Sequence, residues 1–337
     1  MRLSLIIPFY QKEPGLLARA LQSVAAQTRP EGLHVRALIV DDASPLDPSK
    51  EISEATWPAW MTCEIIRRSN GGPGAARNTG LDAAADSDFV AFLDSDDVWE
   101  QDHLARAIEA FDDPECDLYF CDSQHDEETS LFPLVGFPAA DTVHTPRPSR
   151  FGELFEMTGT ETLSSFLRCY ASHTSTVVFR QNPAMSRHRF DPELRIAGED
   201  HAMWVDLAND ARRTVFSTYI GSARGHGVDV YRSVTHGDWV PYFHQHGFQV
   251  IKNHGFLKRF DFEPRALASV ERSLDNHNFE VFRSLLRPAG LKILRDATAR
   301  RILRRIYPDP WANTFRYLSR WRRARRAHKL AARNGAR

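Results

Sequence analysis

The sequence predicts an α/β fold, a mainly parallel sheet flanked by helices, and three observations carry that prediction. Short apolar runs of strand length alternate with segments of helical apolar spacing over the first 125 residues. Several of these runs end abruptly in polar residues, most sharply at Phe89-Val90-Ala91-Phe92-Leu93-Asp94-Ser95-Asp96-Asp97. A glycine-rich loop, Asn70 to Gly80, runs directly into a helix. Continuous apolar runs read as strands buried on both faces of a parallel sheet, whose ligands gather at the carboxyl ends.

Taken in order, Leu3 to Ile7 is a strand stopped by Pro8, and Leu16, Leu17, Ala20, Leu21, Val24 and Ala25 recur at helical spacing. Val35 to Val40 is a second strand, closed by the turn-forming Asp41-Asp42-Ala43-Ser44-Pro45, with a weaker helix around Ser49 to Ala55. Cys63 to Arg67 is a third strand, followed by the glycine loop and its helix. Phe89 to Leu93 is the fourth, Leu104 to Phe111 lies on a helix, and Asp117 to Cys121 is the fifth. His125 to Arg150 breaks the rhythm and reads as a polar loop over one face, a lid or a plain insertion. Thr174 to Phe179 returns to strand character. Ala197-Gly198-Glu199-Asp200 opens a helix with Met203, Trp204 and Leu207 on its apolar side, and from His236 the chain reads mostly helical.

The 337 residues suffice for one large domain or one domain with an appendage. Cys63, Cys116, Cys121 and Cys169 are scattered without zinc spacing and read as reduced thiols of a cytosolic protein. No apolar run approaches the roughly 20 residues of a spanning helix, and the apolar start is too short for a signal peptide. The net charge of −1 conceals an asymmetry: Arg287 to Arg337 holds 16 Lys or Arg against two acidic residues.

The chemistry concentrates at the strand ends. Pro8-Phe9-Tyr10, Asp41-Asp42 and Asp94-Ser95-Asp96-Asp97 each close a strand, and in a parallel sheet these ends converge on one crevice. Three crowded carboxylates repel unless a cation relieves them, and hard oxygen ligands suit Mg²⁺ or Mn²⁺. The glycine loop offers backbone N–H groups to an anion at a helix start. Together they suggest a nucleotide held through a metal-bridged diphosphate. Alone, the acidic residues would also cap the helix starting near Trp99, and Glu199-Asp200 would equally suit the first turn of any helix.

The ordered set Ile-Pro-Phe-Tyr, Val-Asp-Asp-Ala-Ser, Asn-Gly-Gly-Pro-Gly-Ala-Ala-Arg-Asn-Thr-Gly, Phe-Leu-Asp-Ser-Asp-Asp and the later Gly198-Glu199-Asp200 resembles a family 2 glycosyltransferase. The likeness is strong to about residue 125 and extends to about 210. It implies the GT-A fold with its Rossmann-like sheet, a nucleotide-sugar donor with UDP the usual nucleotide, a divalent metal, and inversion at the anomeric carbon. It further implies that Pro8 and Tyr10 border the base and ribose, that Asp42 hydrogen-bonds the base, and that Asn70, Gly72, Arg77 and Asn78 lie beside the nucleotide. Asp94 and Ser95 then face the ribose, and Asp96 holds the metal with Asp94 and Asp97 adjacent. A metal on the diphosphate stabilises the leaving group, and a carboxylate opposite takes the acceptor proton. Asp200 is the expected base, with Glu199 as substitute. His226, between two glycines in Arg224-Gly225-His226-Gly227, is a candidate metal ligand, and Arg232 a candidate diphosphate contact.

Two rivals stand beside this reading. A metal-dependent nucleotidyltransferase should carry its glycine loop after the first strand, where this chain has Pro8 to Glu13. A non-catalytic nucleotide-sugar binding module would not need Glu199-Asp200. The expected division is a catalytic domain over 1–235, with halves 1–125 and 126–235, and a helical region with a basic amphipathic tail over 236–337. Ala299, Ile302, Leu303 and Ile306 share one face among arginines, and Trp311, Phe315, Leu318 and Trp321 continue the stripe. Such a basic helix suits an anionic membrane surface, or packs on the acidic catalytic domain. The expected partners are therefore a nucleotide sugar, a glycan or lipid-linked acceptor and an anionic membrane, without nucleic acid. The expected location is cytoplasmic, peripheral at the inner membrane face.

Overall fold

The computed structural model describes residues 1–53, 56–228 and 238–306. Arg232 and the aromatic stripe from Trp311 to Trp321 lie outside the described residues. The chain divides into two compact units, one of Met1–Arg195 with Glu199–Asp229, the other of Ile196–Gly198 with Val230–Arg337.

In the first unit the expected strands form a parallel block. β1 (Arg2–Phe9) lies between β2 (His34–Asp41) and β4 (Phe89–Phe92), and β3 (Met61–Arg67) pairs beyond β2. The registers Phe9↔Asp41, Asp41↔Arg67 and Ile6↔Phe92 bring the carboxyl ends of all four to one edge. Helices α1 (Leu16–Ala25), α2 (Pro48–Ser53), α3 (Pro73–Ala83) and α4 (His103–Ala110) connect or follow these strands. Gly80 lets α3 settle on the sheet: a Cβ there would lie 2.4 Å from Ile6 Cγ2.

Beyond β4 the sheet becomes mixed. β9 (Val178–Arg180) inserts antiparallel between β4 and β6 (Cys116–Gln124). Then come β10 (Arg213–Ala223), parallel to β6, and the antiparallel β8 (Leu154–Thr158) and β7 (Thr145–Arg147). The two-residue β5 (Val98–Trp99) pairs with the end of β10. This half was the less legible in sequence. Thr174 to Phe179, expected as one strand, is a 3-10 turn at Thr174–Thr176 followed by β9. His125 to Arg150, expected as a loop, contains helix α5 (Leu131–Val135) and β7. Phe132 and Phe137 from that segment are buried against Phe120 and Phe216, and Asp122 Oδ1 accepts from the Phe132 N–H at 2.9 Å. Aromatic burial anchors this part of the segment to the sheet. Helices α6 (Gly159–Arg168) and α7 (Glu199–Asp210) complete the unit, and Trp204 of α7 is buried against Phe92 and Phe190.

The second unit is helical: α8 (Trp239–Arg259), α9 (Pro264–Leu285), α10 (Gly290–Arg295) and α11 (Ala297–Ile306). The apolar face of α11, with Ala299, Ile302 and Ile306 buried, packs on α8. Gly247 permits that approach, since a Cβ there would meet Ile302 Cγ2 at 2.5 Å. The first part of the amphipathic tail is thus used within its own unit.

Candidate active site

The site is assembled at the carboxyl edge of the parallel block. Asp42 follows β2 and is buried. Its carboxylate accepts from the Gly71 N–H (2.9 and 3.1 Å) and the Gly72 N–H (2.8 Å) and pairs with Arg68. Asn70 donates to the Asp42 carbonyl at 3.0 Å and accepts from Arg195 at 3.2 Å. Gly72 sits at φ +90°, where a side chain would be strained. Asp42, expected to meet a base, here organises the glycine loop. Asn78, expected beside the nucleotide, exchanges hydrogen bonds with the Phe190 backbone at 2.9 and 2.8 Å. It ties α3 to the segment ahead of α7. Pro8 is half-buried at the end of β1, and Tyr10 beyond it is exposed.

The acidic turn is gripped from three sides. The Ser175 hydroxyl donates to Asp97 Oδ2 at 2.6 Å and accepts from the Asp94 N–H at 3.1 Å. The Gly225 N–H donates to Asp97 Oδ1 at 3.0 Å, and the Gly227 N–H to Asp96 Oδ2 at 2.9 Å. Buried Gln11 donates to the Ser95 hydroxyl at 2.9 Å. The glycines about His226 therefore allow the chain to approach the carboxylates: a Cβ on Gly225 would lie 1.8 Å from the Asp96 carbonyl oxygen. His226 itself is exposed.

Electrostatics follow from this crowding. Burial and then the charges of Asp97 and Asp94 push Asp96 up to about 6. Burial and then Asp94 push Asp97 up to about 7. Asp94 is lowered despite burial, because the Arg77 guanidinium is paired with it and hydrogen-bonds it. Burial, followed by the Arg224 charge, lowers His173 to about 4, leaving a neutral imidazole. One ligand atom each from Asp94, Asp97 and His173 lie within 4.8 Å of one another. Buried His173 Nδ1 lacks a hydrogen-bond partner and stands 3.5 Å from Asp97 Oδ2. Crowded carboxylates next to an orphaned neutral nitrogen fit a divalent cation. Among the described residues the gathered group is this one; Asp96, expected as the main ligand, and His226 stand outside it.

Arg77 links this turn to α7. It is 4 % exposed, paired to Asp94 at 2.7 Å and Glu199 at 3.3 Å, with its guanidinium over the Phe190 ring. Burial and then the Asp200 charge raise Glu199 to about 7. Gly198, at φ +88°, turns the chain into α7. The Tyr170 hydroxyl donates to Asp200 Oδ2, and the His201 N–H to Asp200 Oδ1 at 2.6 Å. Burial and then Asp200 raise the Tyr170 phenol well above its usual value, so it remains a donor. His173, Ser175, Tyr170 and Gln11 escaped the sequence reading. The topology explains two of them: β9 runs antiparallel to β4 with Ala91 opposite Val178, which returns residues 173–175 to the end of β4.

Residues 4–162 match the model of glycosyl transferase family 2. The succinoglycan biosynthesis protein ExoW of Rhizobium meliloti is 37% identical over 239 residues, 69% of this chain and 72% of that protein. The chain belongs to glycosyl transferase family 2. As a family 2 member it is a glycosyltransferase, which sets aside both rival readings of the sequence. The family's GT-A fold recurs in the solved structure of S. aureus TarS 1-349 in complex with UDP-GlcNAc. That likeness has a TM-score of 0.56 at 20% identity, over 87% of this chain and 76% of that one. The mannosyltransferase PcManGT of Pyrobaculum calidifontis, in complex with GDP-Man and Mn²⁺, gives 0.53 at 15% identity over 89% and 78%.

Proposed function

We propose that this glycosyltransferase moves a sugar from a UDP-sugar to a hydroxyl of a growing cell-surface polysaccharide or its lipid-linked precursor, by metal-assisted inverting displacement. The observation that carries this reading is the Asp94–Arg77–Glu199 bridge, which ties the acidic turn and the Glu199-Asp200 pair to the two terminal nitrogens of one guanidinium. The acidic turn that runs from Asp94 to Asp97 fits the cation of a nucleotide diphosphate. Bound there, the metal would neutralise charge on the departing diphosphate. Asp200 takes the acceptor proton on its carboxylate while Tyr170 fixes the carboxylate's orientation. Glu199, held by Arg77, keeps that pair in place. Tyr10 offers an exposed ring to the base, and the glycine loop, braced by Asp42, shapes the nucleotide side. The choice of UDP follows the UDP-GlcNAc complex of TarS, and the polysaccharide acceptor follows ExoW.

We place the protein at the inner face of the membrane. No helix among the described residues is long and apolar enough to cross one. Leu286, Leu291 and Leu294 are exposed beside Arg287, Lys292 and Arg295, a composition that suits anionic lipid.

The test is incubation of the full chain with UDP- and GDP-sugars and Mn²⁺. One UDP-sugar should release UDP slowly to water and faster to a lipid-linked oligosaccharide, with an inverted anomeric centre in the product. Turnover of none of them, or retained configuration, would overturn this reading.

A further inference from the structure

We infer that His173 is a direct ligand of the divalent metal, completing with Asp94 and Asp97 a mixed nitrogen–oxygen site that favours Mn²⁺ over Mg²⁺. The inference rests on the metal-assisted reading above and deepens it by naming a ligand outside the acidic motif. Four observations carry it. First, the antiparallel insertion of β9 beside β4 delivers the residues ahead of Val178 to the end of the strand that bears Asp94. Second, His173 is 8% exposed, yet its Nδ1 has no hydrogen bond and lies 3.5 Å from Asp97 Oδ2. That separation is too long for a good hydrogen bond, and a buried polar nitrogen normally has a partner. Third, the donor atoms of His173, Asp94 and Asp97 already lie within 4.8 Å of one another, so small side-chain adjustments would bring them onto one ion.

Fourth, the turn that follows His173 is hydrogen-bonded to the turn that bears Asp94 and Asp97. The His173 carbonyl accepts from the Thr176 N–H at 3.0 Å and its hydroxyl at 2.8 Å. Two residues along from His173, the Ser175 hydroxyl clamps both Asp97 and the Asp94 backbone. The Ser175 carbonyl in turn accepts from the Trp99 indole at 2.6 Å. A fixed imidazole among carboxylates discriminates between ions. Mg²⁺ demands near-ideal oxygen coordination and dehydrates reluctantly, whereas Mn²⁺ binds more tightly at a site that contributes nitrogen.

The experiment is Mn²⁺ titration of the full chain by electron paramagnetic resonance, with UDP present, in the wild type and in His173→Asn and His173→Ala. Pulsed measurement of the bound ion should show modulation from a directly coordinated ¹⁴N in the wild type that is lost in both variants. Removing a group that only hydrogen-bonds a metal ligand already costs about 10–100-fold in affinity, so loss of a direct ligand should weaken Mn²⁺ at least about tenfold. Mg²⁺, measured by competition, should weaken less. The Asn variant keeps a polar group beside Asp97, and its unchanged melting temperature without metal would separate ligand loss from misfolding. Wild-type Mn²⁺ affinity in both variants, or ¹⁴N modulation that persists in them, would overturn the ligand assignment while leaving metal-assisted transfer standing. Absence of Mn²⁺ binding by the wild type would overturn both.

Discussion

Replacing Arg77 by Met tests whether the guanidinium is the joint of the site. Met retains an apolar stem against Phe190 but removes the charge shared by Asp94 and Glu199. Removing one partner of a buried ion pair costs about 3–5 kcal/mol, because the remaining charge is left unpaired. Two features pull this case to the lower end. The Asp94 side chain is 26% exposed, so water repays part of the loss. Glu199, already pushed up to about 7, can shed its charge by taking a proton. The expected loss is therefore about 3 kcal/mol at pH 8, a shift of about 1 M in urea midpoint for a denaturant slope near 3 kcal/mol/M. The pH dependence has a defined sign. Glu199 is raised above its ordinary 4.5, so the folded chain keeps a proton that the unfolded chain has already released. Without Arg77 it keeps that proton to still higher pH, so the deficit of the variant should shrink from pH 8 to pH 6. Adding Glu199→Gln to Arg77→Met should recover part of the loss at pH 8. A loss below about 1 kcal/mol at pH 8, or no recovery in the double variant, would refute the joint.

Asp200→Asn should lower transfer by about 10²–10⁴-fold with donor affinity unchanged, and Tyr170→Phe should lower it less; a larger effect from Glu199→Gln would reverse the order of the pair. Gly225→Ala, whose Cβ would strike the Asp96 carbonyl, should displace the loop, lose the hydrogen bonds to Asp96 and Asp97, and weaken Mn²⁺-dependent UDP binding by calorimetry. Gly255→Ala, in open space on α8, should instead stabilise by up to about 1 kcal/mol in thermal melts. His103 is fully buried and lowered by that burial to about 3. Below its ordinary 6.5 the unfolded chain takes the proton first, so stability should fall from pH 6.5 towards pH 3, by about 5 kcal/mol in full. His103→Leu should flatten that part of the urea-midpoint profile. Full-length protein should co-sediment with anionic vesicles at low salt and less at high salt; unchanged sedimentation of Leu291→Ser with Leu294→Ser would remove α10 from the membrane contact.

The sequence by itself determined the parallel half of the sheet, the glycine loop and the strand-end carboxylates. Their signals are local: apolar runs of strand length, turn residues at their ends, and a fixed order along the chain. The tertiary structure decided how those pieces are wired. Ser175 reaches Asp97 across 78 positions, Gly225 reaches it across 128, and Arg77 meets Glu199 across 122. Each contact depends on sheet order: β9 turned antiparallel beside β4, and β10 paired to β5. Periodicity tells which face of a strand is buried, but not which strand lies next to it. For the same reason nothing in the sequence showed that Asp42 would bond the Gly71-Gly72 backbone or Asn78 the backbone of Phe190. Residue type fixes what a side chain can bond; only the packing of distant segments fixes which partner reaches it.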